Sequence, residues 1–351
     1  MHIPIYITGG IFMKKYLLPE SGKFYKANLH CHTNISDGRC TPEEIKELYK
    51  AQGYSVVAYT DHDLMIPHHD LSDEDFIAMT GYEMEINEPN KEWPKLKTCH
   101  ICFVALSPEI DKQVCWNRET LGYTFPQSHE LAKKYAKFDE NEPDFVREYS
   151  KECISTMMKK GRDAGFFVTY NHPTWSNQNQ SDYSGYENMH AMEIVNYGCQ
   201  AMGYDEYNPH VYDDMLNLGK KIYCIAADDN HNKWGQDSFG GFTMIKADKL
   251  DYKLIGEALL KGNFYASERP LIHALYIEGD MVHIECSPAV KITINSDVIH
   301  ADAAYPENGE TTLTHAAFKL WDCISRFRLT VTDEHGKHAC TNAYYIDELD
   351  L

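Results

Sequence analysis

No run of the ~20 apolar residues that a membrane-spanning helix needs occurs in this chain, so no membrane partner is expected. Positive charge is scarce. Lys and Arg total 33 against 53 Asp and Glu, for a formal net charge of -20. A chain this acidic repels nucleic-acid backbones and anionic lipid, which argues against stable binding of duplex nucleic acid. It leaves open chemistry on a phosphate through bound metal ions, because those ions reverse the local field. A disulfide framework is also lacking. The 11 cysteines are odd in number and irregularly spaced, as expected of reduced thiols in a cytoplasm. Cys99 and Cys102 in TCHICFVAL have CxxC spacing, but no second CxxC completes a zinc ribbon, and their apolar run reads as buried strand. There is no GxSxG elbow and no P-loop; ITGG and FGGF are glycine pairs without the rest of a phosphate loop. Neither a serine hydrolase nor an NTPase is supported. Internal repeats and low-complexity tracts are absent. The opening MHIPIYITGGIFMKKYLL carries its lysines after the apolar run, the reverse of a signal peptide. Met13 reads as a natural start, with 1–12 as an upstream extension.

What is present is length and pattern. The 351 residues, 43% hydrophobic, suffice for one barrel-sized domain and a smaller one. KANLHCH reads as a strand. TPEEIKELYKAQG then reads as a helix, with Thr41 as N-cap, Pro42 at the first position, Glu44 completing a capping box and Gly53 as the stop. SVVAYTDHD, FIAMTGYEMEI, TCHICFVAL, FFVTYNHP, AMEIVNY, KIYCIAADDNH and FGGFTMIKA are further strands. Helical patterns fit DFVREYSKECISTMMKKGRDAG, PHVYDDMLNLGK and LDYKLIGEALLKG. Such alternation predicts an α/β fold with a parallel sheet and outer helices, and about seven units predict a closed or nearly closed barrel over 24–268. Residues 1–23 precede it as an N-terminal extension. Residues 107–150 form an irregular insertion of the kind that serves as lid or substrate wall. From 269 to 351 short alternating runs broken by Gly-Asp, Ser-Pro and Asn-Gly turns predict a small antiparallel β-sandwich-like domain.

Several of the barrel strands end in imidazole or carboxylate, at the edge where α/β folds build their sites. His30 and His32 in ANLHCHTNISDG share a strand face, with Cys31 turned away. Asp37 follows in SDG, His62 in TDHD, Glu83 in GYEME, His100 in KTCHIC, His172 in NHP, and Asp229 and His231 in DDNH. A lone histidine on an apolar strand is more often a hydrogen-bonded core residue. Nine such groups converging on one barrel mouth carry charge that is costly to bury unless metals neutralise it. Nine ligands exceed the four of one tetrahedral ion and suit two or three divalent cations bridged by a carboxylate.

HCHT, SDG, TDHD, GYE, the His before ICFVAL, NHP and DDNH, in this order, resemble the polymerase-and-histidinol-phosphatase (PHP) superfamily over residues 24–268. Its stand-alone metal-dependent phosphoesterases are the nearest likeness. The resemblance implies a distorted (β/α)7 barrel with two or three Zn, Mn, Fe or Mg ions. His30, His32, Glu83 and Asp229 are then expected to hold one metal. Glu83 bridges to a second held by His100 and His172, and Asp37, His62 and His231 hold a third. Glu85 is the alternative bridge, and Asp228 adjoins Asp229. Asp61 and Asp63 are expected to orient imidazoles. His68, His69, Arg39 and Arg269 are candidate substrate or phosphate contacts, and Trp175 a candidate aromatic contact.

The expected activity is hydrolysis of a small phosphorylated metabolite, nucleotide or oligonucleotide end by a metal-bridging hydroxide, with no protein nucleophile. Two alternatives stand beside it. One is an amidohydrolase-like C–N or ester hydrolase, whose sites usually recruit a strand lysine where this chain offers glutamate. The other is a non-catalytic metal-binding or partner module, with the β domain as a partner or homo-oligomer surface.

Overall fold

The computed structural model describes residues 14–233 and 236–349, so the proposed upstream extension 1–12 lies outside the described residues. The first helix forms as its sequence dictates. Thr41 Oγ1 accepts from the Glu44 N–H, the Glu44 carboxylate accepts from the Thr41 N–H, and Pro42 opens helix α1 (Pro42–Ala51). Gly53 beyond its end takes φ +75°, a conformation that glycine adopts without strain.

Nine strands surround the site: β1 (Lys23–Asn28), β2 (Val56–Tyr59), β3 (Ile77–Asn87), β4 (Thr98–Ala105), β5 (Phe166–Tyr170), β6 (Ala191–Asn196), β7 (Tyr223–Ala227), β8 (Phe242–Ala247) and β9 (Phe264–Ser267). Their order across the sheet is β9-β8-β1-β2-β3-β4-β5-β6-β7. β1, β2 and β3 run parallel, as do β5, β6 and β7. β4 is antiparallel to both neighbours, and β8 is antiparallel to β1 and β9. The sheet is therefore mixed, where the strand–helix alternation predicts a uniformly parallel one. For β4 the cause lies in residues 88–97. They join β3 to β4 without a helix, and a connection that short returns as a hairpin, whereas a parallel crossover needs a dozen residues or more. No backbone pairing joins β7 to β8 or β9 among the described residues. A side chain spans this seam: the Thr243 hydroxyl donates to Ala226 O (2.9 Å) and accepts from the Ala226 N–H (3.3 Å).

Helices α2 (Lys151–Asp163), α3 (Pro209–Asn217) and α4 (Tyr252–Leu260) pack apolar faces on the sheet. In α2 the buried set is Ile154, Met157, Met158 and Gly161. Gly161 allows close approach, since a Cβ there would meet the Phe103 ring at 2.2 Å.

The C-terminal strands are β10 (Ile272–Glu278), β11 (Met281–Ala289), β12 (Lys291–Ser296), β13 (Ala301–Ala304), β14 (Leu313–Lys319), β15 (Arg326–Thr332) and β16 (His338–Thr341). All pair antiparallel, as the turn-punctuated alternation predicts. They form two layers. Leu275, Ile277, Val282 and Ile284 of one pack with Ile292, Ile294, Leu329 and Val331 of the other in a single apolar cluster. Two features go beyond the sequence reading. β16 pairs with β9, so the large sheet runs unbroken from β13 to β7. Lys15–Tyr16 pairs with Ile277 and Tyr276, and Leu17 and Leu18 are buried, so residues 14–18 form part of the C-terminal layers. Among the described residues no helix is long and apolar enough to cross a membrane.

Candidate metal centre

His30 and His32 follow directly on β1, with their Nε2 atoms 3.1 Å apart. Glu83, within β3, is fully buried between them and the other imidazoles. Its Oε1 lies 3.2 Å from His30 Nε2, 3.2 Å from His100 Nδ1 and 3.3 Å from His172 Nε2. Its Oε2 lies 3.3 Å from both His32 Nε2 and His62 Nδ1. Asp229 Oδ1 lies 3.0 Å from His32 Nε2 and 3.2 Å from His30 Nε2. Asp37 Oδ1 lies 3.3 Å from His231 Nε2 and 3.7 Å from His62 Nε2. All nine expected side chains thus meet in one place.

Their grouping departs from the expected partition. Four sets have ligand atoms close enough to share an ion: His32, Asp37, His62 and His231; His30, Glu83 and His172; His30, His32 and Asp229; and His62, Glu83 and His100. His32 is the reason. It stacks on His62 and His231, each at 4.3 Å, with Nδ1 toward Asp37 and Nε2 toward Asp229, so it faces two groups at once.

Six buried atoms of the cluster have no hydrogen-bond partner: His32 Nδ1, Asp37 Oδ1, His62 Nδ1, Glu83 Oε2, His100 Nδ1 and Asp229 Oδ1. Each such atom costs about 1–3 kcal/mol when left unsatisfied. His62 Nδ1 and Glu83 Oε2 stand 3.3 Å apart yet do not bond. Close approach without hydrogen bonding befits a ligand shell more than a polar network, and the donor set of imidazoles and carboxylates fits divalent transition metals. In the metal-free state protons take part of that role. Burial opposes charge on His32, but the close carboxylates of Asp229 and Glu83 outweigh it and raise the imidazole to about 10. His172 is raised to about 9 in the same way, chiefly by Glu83. His62 is pushed well down by burial and then by the charge on His32. The surrounding imidazoles outweigh burial at Glu83 and Asp229 and hold both carboxyls well below their usual range.

The neighbouring acids build the scaffold. Asp61 accepts from the N–H and hydroxyl of Thr33 (2.8 and 2.7 Å) and of Ser36 (3.1 and 2.6 Å), fixing the loop that presents Asp37. Asp63 pairs with buried Arg147 at 2.5 Å. Asp61 binds the loop that carries Asp37, and Asp63 binds the 107–150 insertion, so the expectation that they orient imidazoles is corrected. Asp228 is fully buried, pushed up to about 6 by burial, and accepts from the Tyr49 hydroxyl and the N–H groups of Phe239, Gly240 and Gly241. With Asp228 pinned, Asp229 adopts a left-handed φ of +51° and enters the cluster.

Imidazole orientation falls to Glu193 and Ser176, outside the sequence motifs. His30 Nδ1 lies 2.7 Å from Glu193 Oε1, and Glu193 Oε2 accepts from the His172 N–H (3.0 Å) and Asn196 Nδ2 (2.9 Å). Asn171 Nδ2 donates to Glu83 Oε1 (3.0 Å), and Ser176 Oγ meets His172 Nδ1 (3.1 Å). The signal for Glu193 was available: it is the sole carboxylate in the apolar run AMEIVNY.

The cluster floors a cleft of about 460 Å³ whose walls include Trp93, Phe125, Trp175 and Met202. Phe125 comes from the 107–150 insertion and sits 4.9 Å from the His62 ring, as a wall should. Trp175 packs on His172 and His100 at 4.9 and 5.2 Å. Glu85 reaches the rim, its Oε2 3.8 Å from His100 Nε2, outside the four sets. The expected phosphate contacts lie elsewhere. Arg39 is exposed and tied to His231 only through its backbone N–H, and Arg269 pairs with Asp333 at 3.4 Å; neither lines the cleft. The lining cation is Lys233, 2.8 Å from Asp37 Oδ2, which sequence reasoning missed. His68 and His69 pack on Tyr59 and Tyr252, away from the cleft. Cys99 and Cys102 are fully buried free thiols, as expected of core residues.

No family model matches the chain, and no curated protein does. Solved structures do. One is a two-domain protein from Bacteroides vulgatus containing a predicted PHP-like metal-dependent phosphoesterase, at 14% identity and TM-score 0.44, covering 96% of this chain and 99% of that one. A protein from Bifidobacterium adolescentis, provisionally named a metal-dependent phosphoesterase, is 16% identical with TM-score 0.38, covering 63% of this chain and 90% of that one. An amidohydrolase from Chromobacterium violaceum with bound sulfate is 16% identical with TM-score 0.38, covering 58% and 87%. The functional reading therefore rests on the site's own geometry.

Proposed function

We propose that this chain is a metal-dependent phosphoesterase acting on a small ester, with two or three divalent cations held by His30, His32, Asp37, His62, Glu83, His100, His172, Asp229 and His231. The observation that carries the reading is the set of six unsatisfied imidazole and carboxylate atoms around Glu83. When bound, the cations supply an activated water and polarise the ester oxygens.

The protein's own contribution is orientation, charge and exclusion of water. Glu193 fixes the His30 ring, leaving Nε2 for the centre. Charge favours an anionic substrate. Two divalent cations with Lys233 balance the five carboxylates Asp37, Glu83, Glu85, Asp229 and Glu193, and a third cation leaves two positive charges over. That local surplus in a chain of net charge -20 suits a phosphoryl group. Lys233 is placed to hold a phosphoryl oxygen, and Phe125 and Trp175 narrow the access of bulk water.

The test is a panel of phosphomonoesters and phosphodiesters beside amides and lactones, on protein loaded with Zn, Mn or Fe. Turnover of phosphoesters, lowered at least about a hundredfold in Glu83→Gln, is expected. Turnover confined to amides or lactones would overturn the reading in favour of amidohydrolase chemistry.

A further inference from the structure

The wall of the cleft is as distinctive as its floor. Four separate chain segments bring large apolar side chains to it: Trp93 from the β3–β4 hairpin, Phe125 from the insertion, Trp175 from the loop after β5, and Met202 beyond the short helix Tyr197–Ala201. Trp93 is 68% exposed and Met202 45% exposed. Exposed tryptophan is expensive to leave in water, and an apolar patch beside a polar centre marks a binding surface. Trp93 and Trp175 are 5.7 Å apart with planes 38° from each other. Trp175 stands nearly perpendicular to His172 (83°) and His100 (68°), and its backbone N–H donates to Glu206 Oε2 at 2.7 Å. Its indole is thus held against two ligands of the centre while Trp93 reaches outward. Lys233 is the cation among the lining residues, and it sits on the floor beside Asp37. Among the described residues the outer wall offers no cation for a second anionic group.

We propose that Trp93 and Trp175 form a stacking platform for a flat aromatic ring carried by the substrate, which makes the preferred esters those of aryl or arylalkyl alcohols. The proposal rests on the phosphoesterase reading for its reactive group and on the indole pair for its recognition. Ring stacking on an aromatic side chain is worth about 1–3 kcal/mol. The platform therefore discriminates a ring-bearing ester from an alkyl one by roughly tenfold or more.

Two measurements separate the platform from the chemistry. In the metal-loaded protein, kcat/KM for phenyl phosphate and for glycerol 2-phosphate is compared in wild type, Trp93→Ala and Trp93→Phe. The expected result is a roughly tenfold loss in Trp93→Ala on phenyl phosphate, carried by KM, with glycerol 2-phosphate unchanged and Trp93→Phe close to wild type. Equal losses on both esters, or none on either, would overturn the proposal. Binding of the inert probes phenylphosphonate and methylphosphonate is measured by calorimetry on the same proteins. A tenfold preference for phenylphosphonate that disappears in Trp93→Ala supports the platform even if no phosphoester turns over, in which case the phosphoesterase reading alone fails. Equal affinity of the two phosphonates for wild type would overturn the platform whatever the turnover.

Discussion

Glu193 decides how His30 faces the centre. Its carboxylate is fully buried and shared between the His30 ring, the His172 N–H and Asn196. Outer partners of this kind typically alter metal affinity 10- to 100-fold. Glu193→Gln keeps the shape of the side chain and is expected to fold while losing affinity in that range, read by competition with a chelator; unchanged affinity would remove Glu193 from the site. Glu193 also shows what the sequence hides. The nine ligands stand out because their motifs sit at strand ends in a recognisable order. Glu193 and Asn196 belong to none of the motifs, and what they bind is visible only once β5 and β6 are side by side. The same holds for cations: Arg39 beside SDG looked suited to phosphate, but the loop turns its side chain outward and Lys233 lines the cleft.

The cluster also predicts a pH response. His32 and His172 are raised to about 10 and about 9, above the ordinary histidine value of 6.5. Stability from these raised groups is complete below about 6.5 and is lost as pH climbs through 9 and 10. Metal-free protein is therefore expected to melt at a lower temperature at pH 10 than at pH 7. Metal ligation requires neutral imidazoles, so loading at pH 8 should release about two protons per chain from His32 and His172, with His30 adding to them. Calorimetry in two buffers of different ionisation enthalpy measures that release; no release would mean the imidazoles are already neutral.

Among the elements, the 107–150 insertion is bound to the site by several side chains, Gln113 at Asp63 O, Gln127 at Ser36 O, Ser128 at Ile35 O and the buried cation Arg147. Arg147 meets Asp63 at 2.5 Å, donates to Glu85 O (2.7 Å) and Gly122 O (3.0 Å), and lies over the Tyr123 ring. Burial pushes Asp63 up to about 7 even against the Arg147 charge. Arg147→Ala leaves that carboxyl buried without its partner, at a cost of about 3 kcal/mol in unfolding free energy, measurable in denaturant. A loss under 1 kcal/mol would show that the insertion is anchored by other contacts. Sequence patterning located the capped helix α1, because a cap depends on local chemistry. It misjudged strand direction because the decisive feature is a missing helix between β3 and β4, and periodicity marks elements that exist.

Over the whole molecule, the two lobes share a sheet. β9 pairs with β16, Arg328 forms a bidentate pair with Asp213 at 2.7 and 2.6 Å, and Asn342 Nδ2 donates to Gly262 O and Phe264 O. The change in pattern at 268 suggested a separable unit, since long-range strand pairing leaves no local mark in a sequence. Coupling this extensive predicts one calorimetric unfolding transition for the full chain. Two resolved transitions would show that the lobes fold independently.

The charge of the molecule and the design of its site converge on one quantity, the number of cations bound. The most direct measurement is elemental analysis of protein purified without chelator, beside the His30→Ala/His32→Ala variant. Two or three divalent ions per chain, falling by at least one in the variant, is the predicted result. No more than a trace of metal in wild type, persisting after incubation with Zn, Mn and Fe, would contradict the metal centre on which everything above depends.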